Sequence, residues 1–135
     1  MVEVAETLVL ESVLTFFVYV EEIDRAGNSH YVTEGVLRAS HRKTSEAPFE
    51  NFGLPFHRSY EEDLQPLKPG EIAELEFDLM GTAIVIDPGH RVRITIAGAD
   101  AANFALYPDP EGKDAPKIEV ITGGSSGSYV ELPIF

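Results

Sequence analysis

At 135 residues, with 44% hydrophobic and 24% charged side chains, the chain has the size and composition of one soluble globular domain. It contains no cysteine, which excludes a disulfide framework and a thiolate metal site. Ten Lys and Arg against 23 Asp and Glu give a formal net charge of -13. Such a surface repels phosphate backbones and anionic membranes, so neither nucleic acid nor a membrane is expected as a partner.

The opening residues carry Glu3 and Glu6, with no basic stretch and no long apolar run. No signal peptide or membrane span is therefore expected, and a cytoplasmic location is. A helix start can be argued between Glu3 and Ser12, but the β-rich LVL at 8–10 argues against it. The run FVYV at 17–20 is β-branched and aromatic, and RAGN at 25–28 reads as the turn after it. From about residue 39 to 67 the chain is irregular and carries Pro48, Pro55 and Pro66. A loop of that length in a compact domain is functional or interfacial.

Beyond it, KPG at 68–70 leads into EIAELEFDL at 71–79. There Leu75, Phe77 and Leu79 fall on one face, and Glu74, Glu76 and Asp78 on the other. That is the period of a half-buried strand. DPG at 87–89 then precedes RVRITI at 91–96, which points Val92, Ile94 and Ile96 inward. In both turns Pro then Gly at the central positions suits a type II turn, with positive φ at the glycine. GGSSG at 123–127 is another turn signal, and YVEL at 129–132 a last strand-like run with Val130 and Leu132 inward. No sustained helical stripe occurs. The expectation is all-β: an antiparallel jelly-roll β-sandwich with one long irregular loop at about residues 39–67, lying over one end.

Three signals bear on chemistry. The GGSSG run fits G-x-S-x-G, the nucleophile elbow of α/β-hydrolases. That elbow needs a strand before Ser125, a helix after it and a later histidine; a strand-like run follows instead, and the last histidine is His90. A flexible turn explains the match better. The histidines at 30, 41, 57 and 90 raise a cupin-type metal site, but there is no His-x-His. His41, His57 and His90 are each followed by an arginine, whose fixed charge disfavours a divalent cation. Neither metal nor cofactor is expected. Ser40-His41-Arg42, His57-Arg58 and His90-Arg91 gather much of the basic character. Two compatible readings hold equal weight: they face a partner domain, where arginine binds carboxylates, or they form an internal charged network pinning the loop. Neither makes them catalytic. The loop rings Phe49, Phe52, Phe56 and Tyr60 either seal one end of the sandwich, the default, or form a docking patch or cleft wall.

Several stretches taken together resemble a known family. YVTEGVLRASHR at 31–42 and DPGHRVRITI at 87–96 carry most of the likeness. FVYVEEIDRAG at 17–27, PFENFGLPFHRS at 48–59, LKPGE at 67–71, IAGAD at 96–100 and the closing GG at 123–124 with SYVELP at 128–133 add their order and spacing. They resemble the C-terminal β-sandwich domain of the serine hydrolases that include X-Pro dipeptidyl-peptidases, cocaine esterases, α-amino-acid ester hydrolases and cephalosporin acylases. The front end departs from that pattern, since LVLESVL at 8–14 runs almost directly into Phe16 and Phe17.

The resemblance implies a single non-catalytic jelly-roll domain over residues 1–135. In that family the catalytic α/β-hydrolase domain lies elsewhere in the chain, and nothing here matches it. The implied role is accessory: stabilising the catalytic domain and shaping the cleft in which an ester or amide bond is hydrolysed. Ser40, His41, Arg42, Phe52, His57, Arg58, His90 and Arg91 are then interface or structural residues. The implied partner is the hydrolase domain or subunit, with a homodimer covering the same surface in its absence. The alternative is an independent carbohydrate- or peptide-binding sandwich; a metal-dependent cupin-like enzyme is the weaker third.

Overall fold

The computed structural model describes residues 2–7 (backbone), 14–104, 117–124 and 127–134. Six strands are present among them: β1 Val2–Thr7, β2 Thr15–Ile23, β3 Ser29–Arg38, β4 Ile72–Leu75, β5 Arg91–Ala97 and β6 Lys117–Val120. They form two three-stranded antiparallel sheets, ordered β4-β1-β6 and β3-β2-β5. The helical content among the described residues is two 3-10 turns, Ala39–His41 and Glu61–Asp63. The chain is thus all-β, as the alternation predicts, and its facing antiparallel sheets are consistent with a jelly roll. No helix among the described residues is long and apolar enough to cross a membrane.

Alternation sets which face is buried. Along β2, Phe16, Val18 and Val20 point inward, opposite Leu37, Gly35 and Thr33 on β3 and alongside Ile96 and Ile94 on β5. Leu75 from β4, with Ile118 and Val120 from β6, meets them from the other sheet. Leu75 has 0% of its surface exposed and is the apolar centre of the contact. After β4 the alternation continues without a ladder: Phe77 and Leu79 pack on the core while Glu76 and Asp78 face out. This segment lies along β3. The Met80 amide donates to the Glu34 carbonyl at 2.8 Å, and Thr33 Oγ1 donates to the Met80 carbonyl at 2.6 Å. A Cβ on Gly35 would sit 2.4 Å from the Asp78 carbonyl oxygen, so only glycine admits this crossing.

The two Pro-Gly turns form as expected. Gly70 and Gly89 have φ of 74° and 87°, with Glu71 N–H to Lys68 O and His90 N–H to Asp87 O, each 3.0 Å, closing them. Two inward assignments need correction. Val92 is 46% exposed, because it pairs with Glu22 at the end of β2, where the inward face turns polar. Leu132 is exposed too, and residues 129–132 join no ladder among the described strands. The helix argued from Glu3 does not form over Val2–Thr7, which is a strand, and residues 8–13 lie outside the described residues.

Candidate functional site

The long loop leaves β3 at Arg38 and returns at β4, and polar bonds fasten both of its legs. The Gln65 amide donates to the Ser40 carbonyl at 2.8 Å, closing the base. Arg42 bridges the same two legs, donating to the Ala39 carbonyl at 3.1 Å and to the Gln65 carbonyl. Asp63, only 3% exposed, sits between them. Arg58 grips it with two parallel bonds, Nε to Oδ2 and Nη2 to Oδ1, both 2.7 Å, and Lys43 Nζ donates to Oδ1 at 2.5 Å. Hydrogen bonds from Arg58 first, and Lys43 next, hold the Asp63 carboxyl down at about 2. A buried carboxylate persists as the ion only with such partners. His57 ties the tip to the frame through the Lys43 and Glu76 carbonyls. Within the same turn Ser40 is buried. Its Oγ and the His41 Nδ1 have no hydrogen-bond partner among the described residues.

The tip beyond these anchors is apolar and uncovered. Phe49 is 60% and Phe52 87% exposed, with Leu54 and Tyr60 also exposed. Sealing of the sandwich end, the default expectation for these rings, is therefore not what they do; only Phe56 is half-buried, edge-on to Phe49 at 5.4 Å. Phe52 has φ of 57°, a left-handed conformation unfavourable for a residue with Cβ. Its amide donates to Glu50 Oε1 at 2.9 Å, and Gly53 follows at φ 77°. Phe49, Phe52, Leu54, Phe56, His57 and Asp78 border an open depression of ≈ 380 Å³.

The sequence-predicted residues divide into two groups. Ser40, His41, Arg42, Phe52, His57 and Arg58 belong to the loop and its anchors. His90 and Arg91 lie at the opposite end of β2, about 26 Å away at the rise of a strand. There His90 Nδ1 meets Glu22 Oε1 at 2.6 Å, and this bond holds the Glu22 carboxyl below its ordinary value. Arg91 is exposed. On the outer face, Arg93, Ser29 and Thr95 surround Glu21 and bring it to about 2, the Arg93 bonds contributing most. Sequence reasoning missed Lys43 and Asp63. Asp63 follows Glu61 and Glu62, and such an acidic run reads as solvated surface.

The arrangement is one of anchoring and presentation. Ser40 and His41 are neighbours in the chain, and no bond joins their polar side-chain atoms. No group of three His, Cys, Asp or Glu is placed to hold a metal ion among the described residues. Ser125 lies outside the described residues; beside it, Gly123 and Gly124 have positive φ, and the Ser128 amide donates to the Ile121 carbonyl at 2.9 Å, as in a turn.

Comparison with known proteins agrees with this picture. Two mycobacterial proteins, each provisionally named a serine esterase, are 45% identical to the chain over 121 residues, one from Mycobacterium bovis and one from Mycobacterium tuberculosis. The match covers 89% of this chain and 19% of each relative, so the chain spans about a fifth of the length of the curated relatives it matches. No solved structure matches. Residues 11–131 match the family described as X-Pro dipeptidyl-peptidase C-terminal non-catalytic domain. That match spans most of the 135 residues, so the chain belongs to the family of non-catalytic C-terminal domains of X-Pro dipeptidyl-peptidases.

Proposed function

We propose that this chain is the accessory domain of a serine hydrolase acting on ester or amide bonds. It docks through the tip of its long loop onto an α/β-hydrolase catalytic domain, stabilises that domain and forms part of the wall of its substrate cleft. The observation that carries this is Phe52, a ring 87% exposed on a residue held at φ 57°. A strained backbone and a bare ring both cost stability in an isolated domain, and burial against a partner offsets them. The length of the mycobacterial relatives beyond the match supplies room for that partner. The Ser40–Arg42 turn, His57 and Arg58 act as positioning residues for the tip, while His90 and Arg91 brace the far end.

Without the hydrolase, two copies cover the same tip by two-fold symmetry, and the net charge of -13 opposes growth beyond a dimer. The aromatic depression also favours one second reading, an independent module that takes a carbohydrate or peptide against its rings. The discriminating experiment is sedimentation of the chain alone and with a separately produced family catalytic domain, repeated with Phe52→Asp. Docking predicts a complex or a discrete dimer that the substitution weakens. A monomer that ignores the catalytic domain, yet binds oligosaccharide or peptide, overturns it in favour of the second reading.

A further inference from the structure

Past β4 the chain runs on like a strand without a neighbour. From residue 76 to 87 it makes no turn, bend or ladder, and none of these residues has positive φ, so the backbone is extended. Met80 ties the run to β3: its amide donates to the Glu34 carbonyl at 2.8 Å, and its carbonyl accepts from Thr33 Oγ1 at 2.6 Å. At the other end the Asp87 amide donates to Glu22 Oε1 at 3.3 Å. Between these ties, no backbone amide or carbonyl of residues 81–86 has a hydrogen-bond partner among the described residues. Alternate residues of an extended chain point their amides and carbonyls to the same side. Met80 points to β3, so Gly81, Ala83 and Val85 point away from it, to the open side.

The side chains of this run suit a covered strand. Residues 79–86 carry no charge in a chain of net charge -13, and Thr82, Ile84, Val85 and Ile86 are β-branched. Val85 is 84% exposed, and Met80 and Ile84 are exposed too. Free strand edges usually carry charges or prolines that block pairing, and residues 79–86 have neither. The run also continues the docking tip, because Asp78, two residues ahead of Met80, borders the aromatic depression.

We propose that residues 81–86 accept a strand from the hydrolase catalytic domain, an extended uncharged segment with basic residues at its ends. The contact made by the tip then continues as a two-stranded ladder; this rests on the reading of the tip as a docking surface. Covering Met80, Ile84 and Val85 takes water from the backbone beside them, and a buried amide or carbonyl without a partner is costly. An added strand supplies those partners, and a flat apolar surface does not. Asp78 and Asp87 bracket the run, both exposed, which favours lysine or arginine at the ends of the incoming strand. The same carboxylates disfavour a second copy. In the antiparallel register that sets residues 79–86 against themselves, Asp78 falls opposite Asp87 of the other chain, and like charges there repel. The match covers 19% of each mycobacterial relative, and the remaining length has room for such a strand.

Amide hydrogen exchange on the whole chain, alone and with a separately produced family catalytic domain, tests the strand residue by residue. Alone, the Ala83 and Val85 amides should exchange near their intrinsic rates. In the complex they should slow about ten-fold or more, the scale of a hydrogen bond gained. Thr82 and Ile84, which point the other way, should slow much less. Ala83→Pro removes an outward donor and should weaken the complex about ten-fold, whereas Thr82→Pro removes an inward one and should weaken it far less. If Ala83→Pro fails to fold, the exchange pattern of the unsubstituted chain decides alone. A complex that Phe52→Asp weakens, yet in which Ala83 and Val85 stay unprotected, overturns the strand and keeps the docking reading. Absence of any complex removes both. Slow exchange at Ala83 and Val85 in the chain alone also overturns the proposal: the partner is then the chain's own backbone or, where protection grows with concentration, a second copy.

Discussion

Phe52→Gly takes away a ring that is 87% exposed and relieves a left-handed residue at φ 57°. The strain of that conformation is about 1–2 kcal/mol for a residue with Cβ. Glycine gives back about 0.5–1 kcal/mol through its greater freedom in the unfolded chain. The ring touches little of its own domain, so almost no packing is lost. The isolated domain should therefore hold its stability or gain up to about 1.5 kcal/mol. Docking should respond in the opposite direction. A phenylalanine buries about 150–250 Å² at an interface, and the 87% still free here corresponds to about 3–5 kcal/mol at most, at ~25 cal/mol per Å². Truncation of a central aromatic at an interface typically costs about 2–4 kcal/mol, roughly a 30- to 700-fold loss of affinity. Urea unfolding followed by far-ultraviolet circular dichroism reads the first quantity, and sedimentation equilibrium or calorimetry with the catalytic domain reads the second. A loss of stability beyond about 1 kcal/mol would show that the ring supports its own fold, since strain relief should offset any smaller change. Unchanged association with both partner and copy would show that the tip is not a contact.

Leu75→Ala should cost about 2–5 kcal/mol in urea midpoints, because the side chain is fully buried between the sheets. Ile94→Ala, at a half-buried site, should cost less than Leu75→Ala, and equal losses would contradict the layering. Glu21 and Asp63 are both held at about 2, well below the ordinary carboxylate range. Their contribution to stability is complete above an ordinary carboxylate value of about 4 and is lost as pH falls to about 2, since the unfolded chain takes up those protons first. Urea midpoints at stepped pH should show that loss, and Asp63→Asn should flatten part of it; an unchanged slope would mean that the Asp63 network does not hold in solution. The purified chain should turn over p-nitrophenyl acetate no faster than buffer, and turnover that disappears in Ser125→Ala would reverse the non-catalytic reading.

The sheets were legible because residues 71–79 and 91–96 alternate with the period of a half-buried strand, while β2, whose Phe16, Phe17 and Val18 are all buried, showed itself by its β-branched and aromatic run. The Pro-Gly turns were legible because only their geometry calls for glycine at positive φ. Alternation does not report where a facing layer stops, which is why Val92 and Leu132 carry an inward pattern and an exposed surface. It also does not report hydrogen bonding, so residues 76–79 keep the pattern of β4 outside its ladder. At the loop, the rings and the histidine–arginine pairs stood out in the sequence, and their separation into two ends of β2 did not. Asp63 was hidden by its acidic neighbours: its burial depends on Arg58 and Lys43 arriving from elsewhere in the loop, which no local signal encodes.

The loop holds on by carbonyls and carboxylates, and it presents rings. Because the bonds at its base involve Ser40, Arg42, Gln65 and Asp63, the side chains at 49, 52 and 54 can change without disturbing the bonds that close it. Drift in the presented rings is thereby uncoupled from drift in the frame. A lineage can exchange one partner for another by altering a few tip residues while the sandwich stays the same, and homologous domains should differ most where this one is barest.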